Sequence, residues 1–260
     1  MSLTDTVISL ITADGQLPLF TALMLISMSA LTSLITATLG IGGGMLLLAV
    51  MAGSMPLSAL IPVHGLVQLG SNANRALMTW RHIDWTLLRF FSVGAVVGAV
   101  MASFIVVQLP LVLIQVAVAL FILFLVWGAK PKAQEMRPAG RILAGMITTV
   151  ISMFVGATGP LVAAFVHRNR FDKMQLTAAF SSCMTVQHGL KAFVFSAIGF
   201  SFWQWAGLTL AMIASGAVGT WVGLHVLRRI PSARFAMLFK VVVTILALRL
   251  LYQAAISFYG

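Results

Sequence analysis

Apolar residues dominate this chain in blocks at 19–39, 45–53, 57–80, 86–107, 110–128, 142–167, 174–199, 204–227 and 235–257, separated by short polar or proline-containing breaks. Several blocks reach the roughly 20 residues a helix needs to cross a bilayer. None alternates apolar and polar residues with the period of two that a membrane barrel strand requires. The pattern predicts an all-α polytopic membrane protein. Two stretches are broken by glycine, TATLGIGGGMLLLA at 36–49 and GATGP at 156–160. A chain that reverses at bilayer depth needs backbone angles and close approaches that glycine supplies, and its unpaired backbone groups are tolerated only against protein or a wet cavity. About 14 residues precede the second break and about 7 follow it, too few for two crossings at 1.5 Å per residue. Re-entrant helical hairpins are therefore expected at 19–53 and 142–167.

Composition supports the class and charge supplies a topology. Of 260 residues 60% are hydrophobic and 8% charged, with a mean hydropathy of +1.05, which excludes a soluble domain. A net charge of +11 could suit nucleic acid, but twelve of the sixteen Lys and Arg fall in four clusters. These are Arg81 and Arg89; Lys130, Lys132, Arg137 and Arg141; Arg168, Arg170 and Lys173; and Arg228, Arg229 and Arg234. Such clustering is a positive-inside signal, and no nucleic-acid partner is expected. The loops near 53–56, 108–110 and 199–201 and both termini carry no basic residue, so they are expected outside. The first fifteen residues have Asp5 and Asp14 but no Lys or Arg, so they lack the basic region of a signal peptide. Cys183, the one cysteine, is read as a packing residue.

The chain also repeats itself. At an offset of 116, Gly40 falls on Gly156, Gly43 on Gly159 and Arg75 on Lys191. At 121, the small-residue ladder Gly94, Gly98, Ala102 falls on Ser215, Gly219, Gly223, and Pro110 on Pro231. The expected architecture is two inverted repeats, each a hairpin plus three transmembrane helices. Residues 1–129 would hold the hairpin 19–53 and spans 57–80, 86–107 and 110–128; residues 130–260 would hold the hairpin 142–167 and spans 174–199, 204–227 and 235–257. Three spans per half is odd, so the hairpins would enter from opposite sides, as in inverted-repeat transporters.

After each turn a short half-helix starts, near Gly44 in one half and near Pro160 in the other. Free N–H groups and a positive dipole at such an end attract anions. On 57–80, His64, Gln68, Ser71 or Asn72, and Arg75 recur at helical spacing. On 174–199, Thr177, Ser181, Thr185, His188 and Lys191 do the same, with Gln187 beside them. A cation inside a span costs at least about 2.5–3.5 kcal/mol, so Arg75 and Lys191 need an anion, water or carbonyls; the alternative is that both snorkel to the interface. All five acidic residues (Asp5, Asp14, Asp84, Glu135, Asp172) fall in termini or loops. Trp80, His82, Trp85, Trp203 and Trp205 read as interface residues, and Lys240 as snorkelling inward. Arg249 fits either the outer interface or an outer vestibule.

The break GIGGGMLLL, the motif GATGPLV about 116 residues on, the following span with QHGLK and the duplicated architecture together resemble the TauE/SafE sulfite-exporter family of bacterial membrane transporters. The resemblance covers nearly the whole chain. It implies transport of sulfite, sulfonates or related sulfur-containing anions across the bacterial cytoplasmic membrane, usually outward. By position it assigns Gly42, Gly43 and Gly44 to the first turn and Gly156, Thr158, Gly159 and Pro160 to the second. The segment after the first hairpin, GSMPLSALIPVHGLVQLGSNANR, departs from many members, which carry smaller polar residues there, and so leaves the particular substrate open.

The substrate-binding set expected from both lines is Gly42, Gly43, Gly44, His64, Gln68, Asn72, Arg75, Thr158, Gly159, Pro160, Gln187, His188 and Lys191. No enzyme activity, cofactor or metal is expected, because the five histidines show neither HxxxH nor HExxH spacing and no acidic residue lies in a span. A passive small-anion channel would use the same lining. The oligomeric state stays open, a homodimer included.

Overall fold

The computed structural model describes residues 2–39, 42–106, 110–128, 136–166, 171–226 and 232–259. The described residues form helices and no strand. In order these are α1 (Leu3–Ile11), α2 (Leu19–Leu39), α3 (Gly43–Ala52), α4 (Leu57–Met78), α5 (Trp85–Val106), α6 (Leu111–Trp127), α7 (Pro138–Val155), α8 (Gly159–Phe165), α9 (Lys173–Ala197), α10 (Ala206–Val226) and α11 (Ser232–Tyr259). Among the described residues five segments are long and apolar enough to cross a membrane: Leu19–Thr38, Trp85–Val106, Pro138–Val155, Trp203–Gly223 and Lys240–Ser257. Gly40, Lys130, Lys132, Glu135, Arg168, Arg170, Arg228 and Arg229, on which parts of the repeat and topology readings rest, lie outside the described residues.

Polar residues set several helix boundaries. In α1 the Ser2 Oγ accepts the Asp5 N–H at 3.1 Å and the Asp5 carboxylate accepts the Ser2 N–H at 2.9 Å, a reciprocal cap that starts a helix the hydrophobic blocks did not reveal. Hydrogen bonds from Ser2, the backbone one first, hold the Asp5 carboxyl below the usual carboxylate range. Asp172 and Gln175 form the same box at the start of α9, and the Asp84 carboxylate accepts the Leu87 N–H at 2.9 Å at the start of α5.

The start of the second broken helix differs from expectation. Pro138 takes the first turn, where its missing N–H costs nothing, so α7 has 18 residues before the break rather than about 14. At 1.5 Å per residue that is about 27 Å. Arg141, read as part of a basic loop, is buried in the first turn of α7. The seven residues of α8 cannot cross a bilayer.

The helices pack in pairs: α2 with α10, α5 with α7, α4 with α9 and α6 with α11. Two ladders of small residues bring backbones close. A Cβ on Gly94 or Gly98 would strike the carbonyl of Ile142 or Met146 on α7. A Cβ on Gly219 would strike the Ala30 carbonyl on α2, and one on Gly223 would lie 2.9 Å from the Ala37 Cβ. The Ser215 Oγ donates to the Ile26 carbonyl at 2.5 Å, and the Ser29 Oγ returns a bond to the Met212 carbonyl at 2.7 Å. In lipid, where apolar surface gains little from leaving its surroundings, this close approach and these bonds hold helices together.

Other expectations divide. Cys183 is fully buried beside Leu87 and Phe91, as a packing residue. Trp80, Trp85 and Trp203 are exposed, but Trp205 is buried in the core and is no interface residue. The Lys240 Nζ lies 5.0 Å above the Trp127 ring, and the Trp127 Nε1 donates to the Thr244 Oγ1 at 2.8 Å. Lys240 thus makes a cation–π contact rather than reaching for the interface alone.

Candidate functional site

The two glycine breaks end in turns with left-handed residues, Gly42 at φ 105° and Gly156 at φ 81°. A side chain is disfavoured at those angles. In α3 the N–H of Leu46 donates to the Gly42 carbonyl at 3.1 Å, so the N–H groups of Gly43, Gly44 and Met45 precede the hydrogen-bond ladder of the helix. Each turn is held by a long helix. The His64 Nε2, from α4, lies 2.9 Å from the Gly44 carbonyl and must donate to it. The Lys191 Nζ, from α9, donates to the Gly156 carbonyl at 2.9 Å. Lys191 is fully buried at the C-terminal end of α7, where a cation complements the helix dipole. Its stem passes so close to Gly65 that a Cβ there would lie 2.6 Å from the Lys191 Cδ.

Between the turns is a cavity of about 30 Å³, room for two or three waters by the usual measure of about 10–15 Å³ each. From α4 it is lined by His64, Gln68 and Asn72, from α9 by Phe180, Met184 and His188, and from the turns by Gly42, Gly44, Ala157, Gly159 and Pro160, with Thr36 and Met45 completing it. The lining is paired across the chain: Gly44 with Pro160, His64 with Phe180, Gln68 with Met184 and Asn72 with His188 each stand 116 residues apart. The His64 and His188 rings meet edge to face, 6.2 Å between centroids, and the Nδ1 of each is buried without a partner.

A hydrogen-bond chain fixes the amides on α4. The Arg75 Nη1 donates to the Asn72 Oδ1 at 3.4 Å, and the Asn72 Nδ2 donates to the Gln68 carbonyl at 2.8 Å and reaches the Gln68 Oε1 at 3.4 Å. The amide of Gln68 lies over Gly44, 3.1 Å from where a Cβ would stand. Arg75 is buried and its Nε has no partner.

The expected residues thus fall into two groups. Gly42, Gly44, His64, Gln68, Asn72, Gly159, Pro160 and His188 meet at the cavity. Gly43, Arg75, Thr158, Gln187 and Lys191 stand outside its lining. Gly43 faces the Thr32 carbonyl and Thr36 Oγ1 of α2. The Thr158 Oγ1 donates to the Gln187 Oε1 at 2.9 Å, and the Gln187 Nε2 donates to the Thr149 Oγ1 at 3.3 Å, so these side chains tie the second turn to α7 and α9. Of the polar stripe on α9 only His188 reaches the cavity. The Ser181 Oγ bonds the Thr177 carbonyl and the Thr185 Oγ1 bonds the Ser181 carbonyl, each at 2.7 Å. Phe180 and Met184, which the polar pattern passed over, take the remaining positions on the wall. The repeat offset could have found them, because it places them opposite His64 and Gln68.

At the other end of α3 lies a larger, open cavity of about 580 Å³, lined by Gln16, Ser54, Gln115 and Gln253 among others. The Arg249 guanidinium lies beside Gly53 on this rim, its Nη1 3.5 Å from where a Cβ would stand.

The fold and the cavity define a class, a multi-pass helical membrane protein that keeps a polar cavity among its helices. The model of the sulfite exporter TauE/SafE family matches residues 25–250, and the chain belongs to this family of membrane transporters. No curated protein and no solved structure matches it.

Proposed function

We propose that the cavity between the two turns binds a compact sulfur oxyanion, sulfite in the first place, and that the chain exports it across a bacterial cytoplasmic membrane. The observation that carries this reading is the lining itself. A space of about 30 Å³ gathers His64, Gln68, Asn72 and His188 at the N-terminal end of a ten-residue half-helix, with no carboxylate among its lining residues. The cations Arg75 and Lys191 are buried, Arg75 bonded to the lining residue Asn72 and Lys191 to the Gly156 carbonyl of the second turn. An anion with several acceptor oxygens matches the Gln68 amide and the free N–H groups of Gly43, Gly44 and Met45 at this helix start, and a bulky apolar anion would leave them unpaired at about 1–3 kcal/mol each.

Residues 1–129 and 130–260 are proposed as inverted repeats around this site. The pairing of α2 with α10 corresponds to that of α7 with α5, and exchanging the halves leaves α4–α9 and α6–α11 unchanged. The four lining pairs at one offset support the same symmetry. Alternating exposure of one site by two related halves is how inverted-repeat transporters work.

Sulfite added to the purified protein should raise its melting temperature in a saturable way, because a ligand that binds only the folded state stabilises it. No shift with sulfite or short sulfonates, or a shift with neutral solutes instead, would remove the proposal. The topology has its own test. In a Cys183→Ser background, Ser54→Cys should react with an impermeant thiol reagent from outside, and His82→Cys only after the membrane is opened. Labelling of both from one side overturns the assigned orientation. Asn169, a natural third reporter, lies outside the described residues.

A further inference from the structure

Resting on the reading that an oxyanion occupies this cavity, we infer that the cavity selects a pyramidal three-oxygen head, sulfite or a sulfonate, against tetrahedral sulfate, and that Phe180 and Met184 are the residues that reject sulfate. The walls are chemically unequal although the lining is paired. At three successive turns α4 presents His64, Gln68 and Asn72; at the matching turns α9 presents Phe180, Met184 and His188. His188 stands with His64, their rings 6.2 Å apart, so the polar groups gather together and Phe180 and Met184 are left as an apolar wall. Phe180 also covers the second turn, its Cζ 3.5 Å from where a Gly159 Cβ would lie, whereas the polar amide of Gln68 covers the first turn at Gly44.

Sulfite carries its three oxygens on one side of sulfur and a lone pair on the other, and a sulfonate carries carbon there. Either can turn its oxygens to the Gln68 amide and the free N–H groups at the start of α3 and its other face to Phe180 and Met184. Sulfate cannot. Its fourth oxygen always points away from the other three, and in a cavity this small it meets the apolar wall, stripped of water and with no donor.

The test compares sulfite and sulfate by the concentration dependence of the melting temperature. For the wild type, sulfate should bind at least about tenfold more weakly than sulfite. Met184→Gln and Phe180→His each give the apolar wall the residue of its counterpart on α4, and each should raise the affinity for sulfate relative to sulfite about tenfold, while Met184→Leu should leave the ratio unchanged. Should Phe180→His fail to give monodisperse protein, Met184→Gln and Met184→Ser carry the test. Equal affinity of the wild type for the two anions, or an unchanged ratio in well-folded Met184→Gln, overturns the inference and leaves sulfite binding intact. Absence of binding by either anion overturns the proposed function as well, so the two failures are distinguishable.

Discussion

Gly43→Ala should abolish folded protein, while Gly159→Ala should leave yield and melting temperature close to those of the wild type. The two glycines stand 116 residues apart, at equivalent places in the proposed repeat, yet a methyl group meets different surroundings at each. On Gly43 it would strike the Thr32 carbonyl oxygen and the Thr36 Oγ1, and lie 2.7 Å from the Thr32 carbonyl carbon. These are mainly backbone atoms of α2, which cannot step aside without moving the helix. On Gly159 the nearest atom is the Phe180 Cζ at 3.5 Å, an ordinary contact. Overpacking in a tight interior costs about 1–3 kcal/mol and more when backbone must shift, a large part of the stability of a typical domain. Size-exclusion profiles and thermal melts of both variants measure the difference. Comparable behaviour would mean that α2 and α3 do not pack as closely as Gly43 implies. Gly159→Leu then becomes the informative binding variant, since its side chain enters a space sized for two or three waters.

Arg75→Gln should weaken sulfite binding by about 1–2 kcal/mol through the loss of a buried charge that stands next to the lining at Asn72, with little change in the melting temperature of the unliganded protein. The bond from Arg75 to Asn72 is long, 3.4 Å, while burying a cation costs about 2.5–3.5 kcal/mol. The fold therefore loses little when it is removed. The anion loses a nearby positive charge and the group that turns the Asn72 amide toward Gln68. Lys191→Gln should behave differently. Its bond to Gly156 is short and charge-assisted, about 1.5–3 kcal/mol, and lies at a helix C-terminus, up to about 2 kcal/mol more. Together these reach up to about 5 kcal/mol against a burial cost of about 2.5–3.5 kcal/mol, so the melting temperature should fall before any ligand is added. Isothermal titration with sulfite and melts of the empty variants separate the two roles. Equal effects on stability would return both cations to one class.

The long apolar blocks determined that the chain is a helical membrane protein, because only helices and closed barrels satisfy their backbone groups in lipid, and the blocks lack the alternation of barrel strands. The glycine breaks announced the two turns, since the positive φ at Gly42 and Gly156 is open to few other residues. Helical spacing placed His64, Gln68 and Asn72 on one face, and the structure keeps them together at one cavity. Periodicity along α9 was less informative, because hydroxyl side chains there bond their own helix and an apolar pair lines the wall instead. Which face of a helix meets a cavity depends on its rotation against its neighbours, and only tertiary packing decides that. The same holds for Lys191, whose partner is a carbonyl 35 residues away in sequence, and for Gly43, whose missing side chain makes room for another helix rather than for a ligand. Sequence records which residues are polar, small or charged; the meeting of α4, α9 and the two turns settles which of them share a space.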